Sequence, residues 1–272
     1  VTVDTLPRMA TARLNGIDVH YERRGCGPRL LFLNGSGATL EAVAPLLDIY
    51  AARFDLLAHD QRGLGRTSIP DGPYSMADYA ADAAALAAHV GWDSYRVVGT
   101  SFGGMVAQEL AVTHPARIER LALLCTSPGG AGGASYPLHT LASEPPAARA
   151  AIRTRILDTR FTPEWLEEHE GDRMLVEMMT ADRDDGKPAD VLRGEVLQLA
   201  ARTGFDAHDR LRRVSCPTLV ACGRYDGIAP LANSEAIAAR IPGADLRVYE
   251  GGHAFFAQDA RAFPDILSFL SG

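Results

Sequence analysis

The sequence predicts an α/β fold: a mostly parallel, eight-stranded sheet flanked by helices, with a helical lid inserted after the sixth strand. Three observations carry that expectation. Short apolar runs alternate with helical patterns along most of the 272 residues, the signature of a parallel sheet covered on both faces. The pair Asn15-Gly16 joins two alternating runs near the start, the strongest short signal for a hairpin, so the sheet has antiparallel strands at one edge. Between Ser127 and about Arg213 the alternation stops, and helical patterns follow one another with no strand candidate.

The elements follow in order. Thr11 to Leu14 and Ile17 to Glu22 form the hairpin. Arg29-Leu30-Leu31-Phe32-Leu33 is continuously apolar and suits a central buried strand, ending in Asn34-Gly35-Ser36-Gly37 before a helix at about Leu40 to Ala52. Phe54 to Ala58 is a strand, and Ser75 to Val90 an alanine-rich helix whose Ser75 and Asp78 have capping-box spacing. The run Tyr95-Arg96-Val97-Val98-Gly99-Thr100 reads as a strand that passes through Ser101 into a helix beginning near Met105. Arg120 to Cys125 is the sixth strand. Ser127-Pro128-Gly129-Gly130-Ala131-Gly132-Gly133 then turns the chain away from the sheet. Helical patterns follow at Ala147 to Leu157, Pro163 to His169, Arg173 to Ala181 and Ala189 to Thr203. A strand at Pro217 to Cys222, a helix at Leu231 to Arg240, a strand at Asp245 to Tyr249 and a helix at Phe263 to Leu270 close the chain. The expected division is residues 1–126 and 214–272 for the core and 127–213 for a lid over the C-terminal edge of the sheet.

Composition narrows the class of function. The hydrophobic share of 47% and charged share of 22% suit a globular core. A formal net charge of −7 disfavours a grip on nucleic acid or an anionic membrane, and no run reaches the ~18 apolar residues of a membrane span. Val1 to Ala12 lacks a signal-peptide pattern. Cys26, Cys125, Cys216 and Cys222 are scattered without Cys-x-x-Cys spacing, so neither a disulfide framework nor a zinc site is expected. The expected setting is cytoplasmic, with a small molecule as partner, no metal and no cofactor; the sequence leaves a homo-oligomer open.

The chemistry centres on Ser101. A serine two residues from glycines on either side, between strand and helix, has the form of a nucleophile elbow: the strained turn exposes the hydroxyl, and side chains at Gly99 or Gly103 would strike the neighbouring strand and helix. Serine needs a base, and the base an orienting carboxylate. Among eight histidines, His253 follows the last strand in Glu250-Gly251-Gly252-His253. Asp226 follows the strand before it in Gly223-Arg224-Tyr225-Asp226. All three residues therefore sit where open α/β sheets place their ligands. Two backbone N–H groups are expected to form an oxyanion hole: Phe102, after the nucleophile, and Ser36, in the loop after the third strand. Asn34 and Gly35 in that loop, and His139 and Trp165 in the insertion, are the candidate substrate contacts. Arg62 is expected to pin backbone carbonyls. Gly129 to Gly133 lacks the Gly-Lys-Ser/Thr ending of a phosphate-binding loop.

These motifs together resemble the α/β-hydrolase fold superfamily over nearly the whole chain. Gly99-Thr100-Ser101-Phe102-Gly103-Gly104 is similar to its elbow. Asp60-Gln61-Arg62-Gly63-Leu64-Gly65-Arg66-Thr67-Ser68 is similar to its Asp-x-Arg-Gly-x-Gly-x-Ser segment, and Gly223 to Asp226 with Gly252-His253 to its acid and base loops. Many members carry His-Gly after the third strand; the Asn34-Gly35 found here, with Gly72-Pro73-Tyr74-Ser75, is similar to 3-oxoadipate enol-lactonase-like hydrolases. The resemblance implies a serine esterase or lactonase. A carbon–carbon bond hydrolase of a β-diketone-like ring-cleavage product, and a hydrolase-fold ligand receptor, are the alternatives.

Overall fold

A computed structural model describes residues 8–180 and 186–272; Ala181, the expected end of one insertion helix, lies outside them. Eight strands form one sheet: β1 (Arg8–Leu14), β2 (Ile17–Arg24), β3 (Arg29–Leu33), β4 (Asp55–His59), β5 (Tyr95–Thr100), β6 (Ile118–Leu124), β7 (Thr218–Gly223) and β8 (Asp245–Tyr249). Their spatial order is β1-β2-β4-β3-β5-β6-β7-β8. The hairpin β1–β2 is antiparallel, and β2 pairs antiparallel with β4. Every other pairing is parallel.

Period-two alternation builds the two cores. On β3, Leu31 and Leu33 face one apolar cluster, while Leu30 and Phe32 face the other. The first cluster is closed by α2 (Met76–His89), α3 (Phe102–Thr113) and α8 (Leu231–Arg240), through Tyr79, Leu86, Val106, Leu110 and Ile237. The second is closed by α1 (Ala44–Ala51) and α10 (Ala262–Ser271), through Leu47, Tyr50, Ile266 and Leu270. Helix α2 starts with the expected box: Ser75 Oγ accepts from Asp78 N–H, and the Asp78 carboxylate accepts from Ser75 N–H.

Two elements differ from expectation. The helix expected from Leu40 begins only at Ala44, with Pro45 in its first turn. Proline has no N–H to bond back into a preceding turn, so it suits a helix start and not an interior. A four-residue helix, α9 (Phe255–Gln258), follows the His253 loop; it is too short to show a period in sequence.

Between β6 and β7 lie α4 (Pro146–Leu157), α5 (Pro163–Glu168), α6 (Glu170–Thr180) and α7 (Ala189–Ala201), with short 3₁₀ turns before and after them. The chain leaves and rejoins the core side by side, fastened by a bridge between Gly129 and Asp206. Helix α7 is drawn close to the core where Gly194 meets Gly63: a Cβ on Gly194 would overlap the Gly63 carbonyl. Among the described residues, no helix is long and apolar enough to cross a membrane.

Candidate active site

The strand order fixes where a site forms. β4 lies on one side of β3 and β5 on the other, so the chain reverses direction across the sheet at β3. The loops leaving β3 and β5 diverge there, which opens a crevice at their C-terminal ends. Asn34 to Gly37 and Ser101 are the residues at that crevice.

Ser101 has φ 54° and ψ −114° at the start of α3, a left-handed backbone that non-glycine residues rarely adopt. Hydrogen bonds at both its N–H and its carbonyl hold it there. Its N–H donates to the Leu124 carbonyl at 2.8 Å, its carbonyl accepts from Thr126 Oγ1 at 2.7 Å, and the same carbonyl accepts from Gly104 N–H at 2.9 Å. The glycines have steric reasons. A Cβ on Gly99 would overlap the Gly103 carbonyl, and one on Gly103 would overlap the carbonyls of Leu33 and Asn34.

The structure brings Ser101, His253 and Asp226 together. His253 Nε2 lies 3.0 Å from Ser101 Oγ, and His253 Nδ1 lies 2.8 Å from Asp226 Oδ2. A proton on Nδ1, donated to the carboxylate, leaves the Nε2 lone pair facing the hydroxyl. The Asp226 carboxylate is fully buried. Its other oxygen, Oδ1, accepts from the N–H groups of Ile228 and Ala229, both at 2.8 Å. Those donors satisfy the charge and aim Oδ2 at the imidazole.

Of the expected oxyanion donors, Phe102 follows the serine in the chain, and Ser36 lies in the loop after β3. A Cβ on Gly35 would lie 3.8 Å from Ser101 Cβ, so the β3 loop runs directly beside the nucleophile. Asn34 is buried behind that loop, where its Oδ1 accepts from Gly35 N–H at 3.1 Å. The Asn34 carbonyl accepts from Gln61 Nε2 at 2.8 Å, and Gly37 N–H donates to Gln198 Oε1 at 2.8 Å. Among the described residues, the N–H groups of Ser36 and Phe102 meet no acceptor. Phe102 is the first residue of α3, whose opening N–H groups have no partner within the helix.

The other two candidates lie in the segment between β6 and β7. His139 is exposed on a 3₁₀ turn and lines a cavity with Arg202. Trp165 is half-buried inside the insertion: its Nε1 donates to Asp172 at 2.8 Å, it stacks on His169 at 3.9 Å, and the Arg160 guanidinium lies 4.9 Å from its ring centre. Neither has a described hydrogen bond or ring contact with Ser101 or His253. Arg62 does not pin carbonyls; it makes a two-point pair with Asp82 of α2, both bonds at 2.9 Å. A buried carboxylate within reach outcompetes neutral acceptors for a guanidinium.

Sequence reasoning missed the supports supplied by the insertion. The end of α4 docks on the loops of both partners of Ser101: His253 N–H donates to the Leu157 carbonyl at 2.6 Å, and Gly227 N–H to the Ile156 carbonyl at 3.0 Å. Gln198, on α7, is fully buried and braces the β3 loop, with its Nε2 left unpartnered among the described residues. A polar residue on an otherwise apolar helix face was the available signal for Gln198; backbone docking at Leu157 leaves none.

Comparison with known proteins agrees with this architecture. The profile described as the alpha/beta hydrolase family matches residues 30–265. The chain is 31% identical over 244 residues to a poly(3-hydroxyalkanoate) depolymerase of Ectopseudomonas oleovorans, covering 89% of this chain and 83% of that protein. It is 27% identical over 241 residues to 3-oxoadipate enol-lactonase 2 of Acinetobacter baylyi, covering 87% and 85%. The crystal structure of a hydrolase from Pseudomonas aeruginosa PA01 is similar with a TM-score of 0.78 at 28% identity, covering 97% of this chain and 99% of that one. A family match that takes in β3 to β8, the elbow and both partner loops has one reading: the chain belongs to the alpha/beta hydrolase family.

Proposed function

We propose that the protein is a serine hydrolase that cleaves the ester or lactone bond of a small to medium organic molecule through an acyl-enzyme on Ser101. The observation that carries the proposal is the relay of 3.0 Å from Ser101 Oγ to His253 Nε2 and 2.8 Å from Nδ1 to a buried Asp226, beside two unpartnered N–H groups. His253 takes the hydroxyl proton as Oγ attacks the carbonyl carbon. Asp226 holds the tautomer and stabilises the imidazolium without taking the proton. The Phe102 and Ser36 N–H groups face the developing oxyanion, an effect worth about 3 kcal/mol per donor. The imidazolium then protonates the departing alkoxide, and a water activated by the same histidine releases the acid.

Similarity to a poly(3-hydroxyalkanoate) depolymerase and a 3-oxoadipate enol-lactonase supports the ester or lactone class. Four free thiols, three of them buried, fit a cytoplasmic setting. The test is a panel of p-nitrophenyl esters, lactones and carbamates against the wild type and Ser101→Ala. The variant is expected to fold normally and lose turnover by at least about 10³-fold, and a fluorophosphonate should label the wild-type serine alone. Wild-type turnover in the variant overturns the assignment.

A further inference from the structure

A cavity of about 180 Å³ opens where the helical insertion leaves and rejoins the core. The outgoing chain contributes Ser127, Ser135 and His139, and the returning chain Arg202 and Thr203, with Met105 of α3 between them. Ala207 N–H donates to the Pro128 carbonyl nearby, so the two roots form one fastened frame.

Arg202 is the feature that needs explaining. It is only 9% exposed. Three other sheltered arginines have acidic partners: Arg62 has Asp82, Arg160 has Asp158 and Arg24 has Glu22. Arg202 has none within ion-pairing distance among the described residues, and burial alone lowers its pKa, to about 10. It therefore stays a cation at neutral pH, sheltered and without a counter-charge, an arrangement that normally calls for one. Its Nη2 donates to Ser135 Oγ and to the Tyr136 carbonyl, both neutral acceptors. A guanidinium has five N–H donors, and those on Nε and Nη1 meet no acceptor among the described residues.

We propose that this cavity is a binding site for a carboxylate. The anion sits against Arg202, accepts from its unused N–H groups and from the hydroxyls lining the cavity, and supplies the missing negative charge. One cation surrounded by neutral donors matches a monoanion, and the small volume suits a carboxylate head. The carboxylate comes either from a separate small acid or from the substrate's own far end. Met105 is one helical turn beyond Ser101, a rise of about 6 Å, so the cavity wall stands close to the nucleophile along α3. Only the second source rests on the hydrolase reading.

The direct test is thermal unfolding of the full chain against sodium acetate, with sodium chloride at equal ionic strength and acetamide as controls. Acetate is expected to raise Tm saturably beyond chloride, and acetamide to have no effect. Arg202→Met should weaken the apparent acetate affinity at least about tenfold. Ala134→Trp, at an exposed position on the cavity wall, should do the same by filling the space while leaving the guanidinium in place, and it decides the matter if Arg202→Met does not fold. No saturable acetate effect in the wild type, or an effect that survives either folded variant, overturns the proposal. Mono-p-nitrophenyl glutarate against p-nitrophenyl valerate then separates the sources. A lower KM for the glutarate, lost in Arg202→Met, assigns the site to the substrate's tail; equal KM values with the acetate response intact assign it to a separate acid. If neither ester is turned over, the hydrolase reading fails while the acetate result stands on its own.

Discussion

Gly103 is a position where a single hydrogen atom matters. Its Cα faces the carbonyls of Leu33 and Asn34 so closely that any Cβ there would overlap backbone, and backbone cannot swing aside as a flexible side chain can. Gly103→Ala is therefore expected to cost about 1–3 kcal/mol of stability through overpacking, and to slow turnover by pushing the β3 loop away from Ser101. Urea unfolding reads the first as a lower midpoint at unchanged m-value. Gly171→Ala is the control. A Cβ there meets nothing within 4 Å, and the residue lies in α6, so the change should be neutral or stabilising by up to about 1 kcal/mol. Equal destabilisation by the two variants would remove the steric account of the elbow. Gly103 was legible in the sequence because glycine spacing around a serine is a local pattern. The Arg62–Asp82 pair was not, because its partners are brought together by the packing of α2 and nothing near Arg62 names Asp82.

At the scale of the element, α7 belongs to the core as much as to the insertion. Gly194 lets it approach the Gly63 carbonyl, Leu197 packs where a Cβ on Gly72 would stand, and Gln198 accepts from Gly37 N–H. Removing that acceptor unpairs the Gly37 N–H and frees the loop that carries Ser36. Gln198→Leu is expected to destabilise the protein by about 1 kcal/mol, the net worth of one hydrogen bond, and, on the proposed oxyanion role of Ser36, to lower kcat more than it raises KM, because that role is exerted mainly in the transition state. A purely structural role would lower stability while leaving kcat per folded molecule unchanged. The strands that place Ser101, Asp226 and His253 were readable because each is a short apolar run ended by glycine or a turn. The docking of α4 was not readable, because it runs through the Ile156 and Leu157 backbone carbonyls, which any sequence could supply.

For the whole molecule, the buried imidazole of His59 couples folding to pH. It ends β4, is 4% exposed, and its Nδ1 has no partner among the described residues. Burial lowers its pKa from 6.5 to about 4, with the neighbouring Asp60 charge opposing the shift. In the unfolded chain the imidazole titrates near its ordinary value. Between about pH 6.5 and 4 the unfolded state therefore binds more protons than the folded one, so stability rises with pH across that window and is lost as pH falls through it. Above about pH 6.5 the imidazole is neutral in both states and contributes no slope. A shift of this size corresponds to roughly 3 kcal/mol once both limits are passed. Urea midpoints at pH 7 and pH 5 should thus differ in the wild type by more than in His59→Gln, whose side chain does not titrate. The variant's lower stability at pH 7, from altered packing, does not enter the comparison, because the test reads the difference between the two pH values within each protein. An identical acid limb in both would mean that carboxylates elsewhere, and not this imidazole, set the acid stability of the fold.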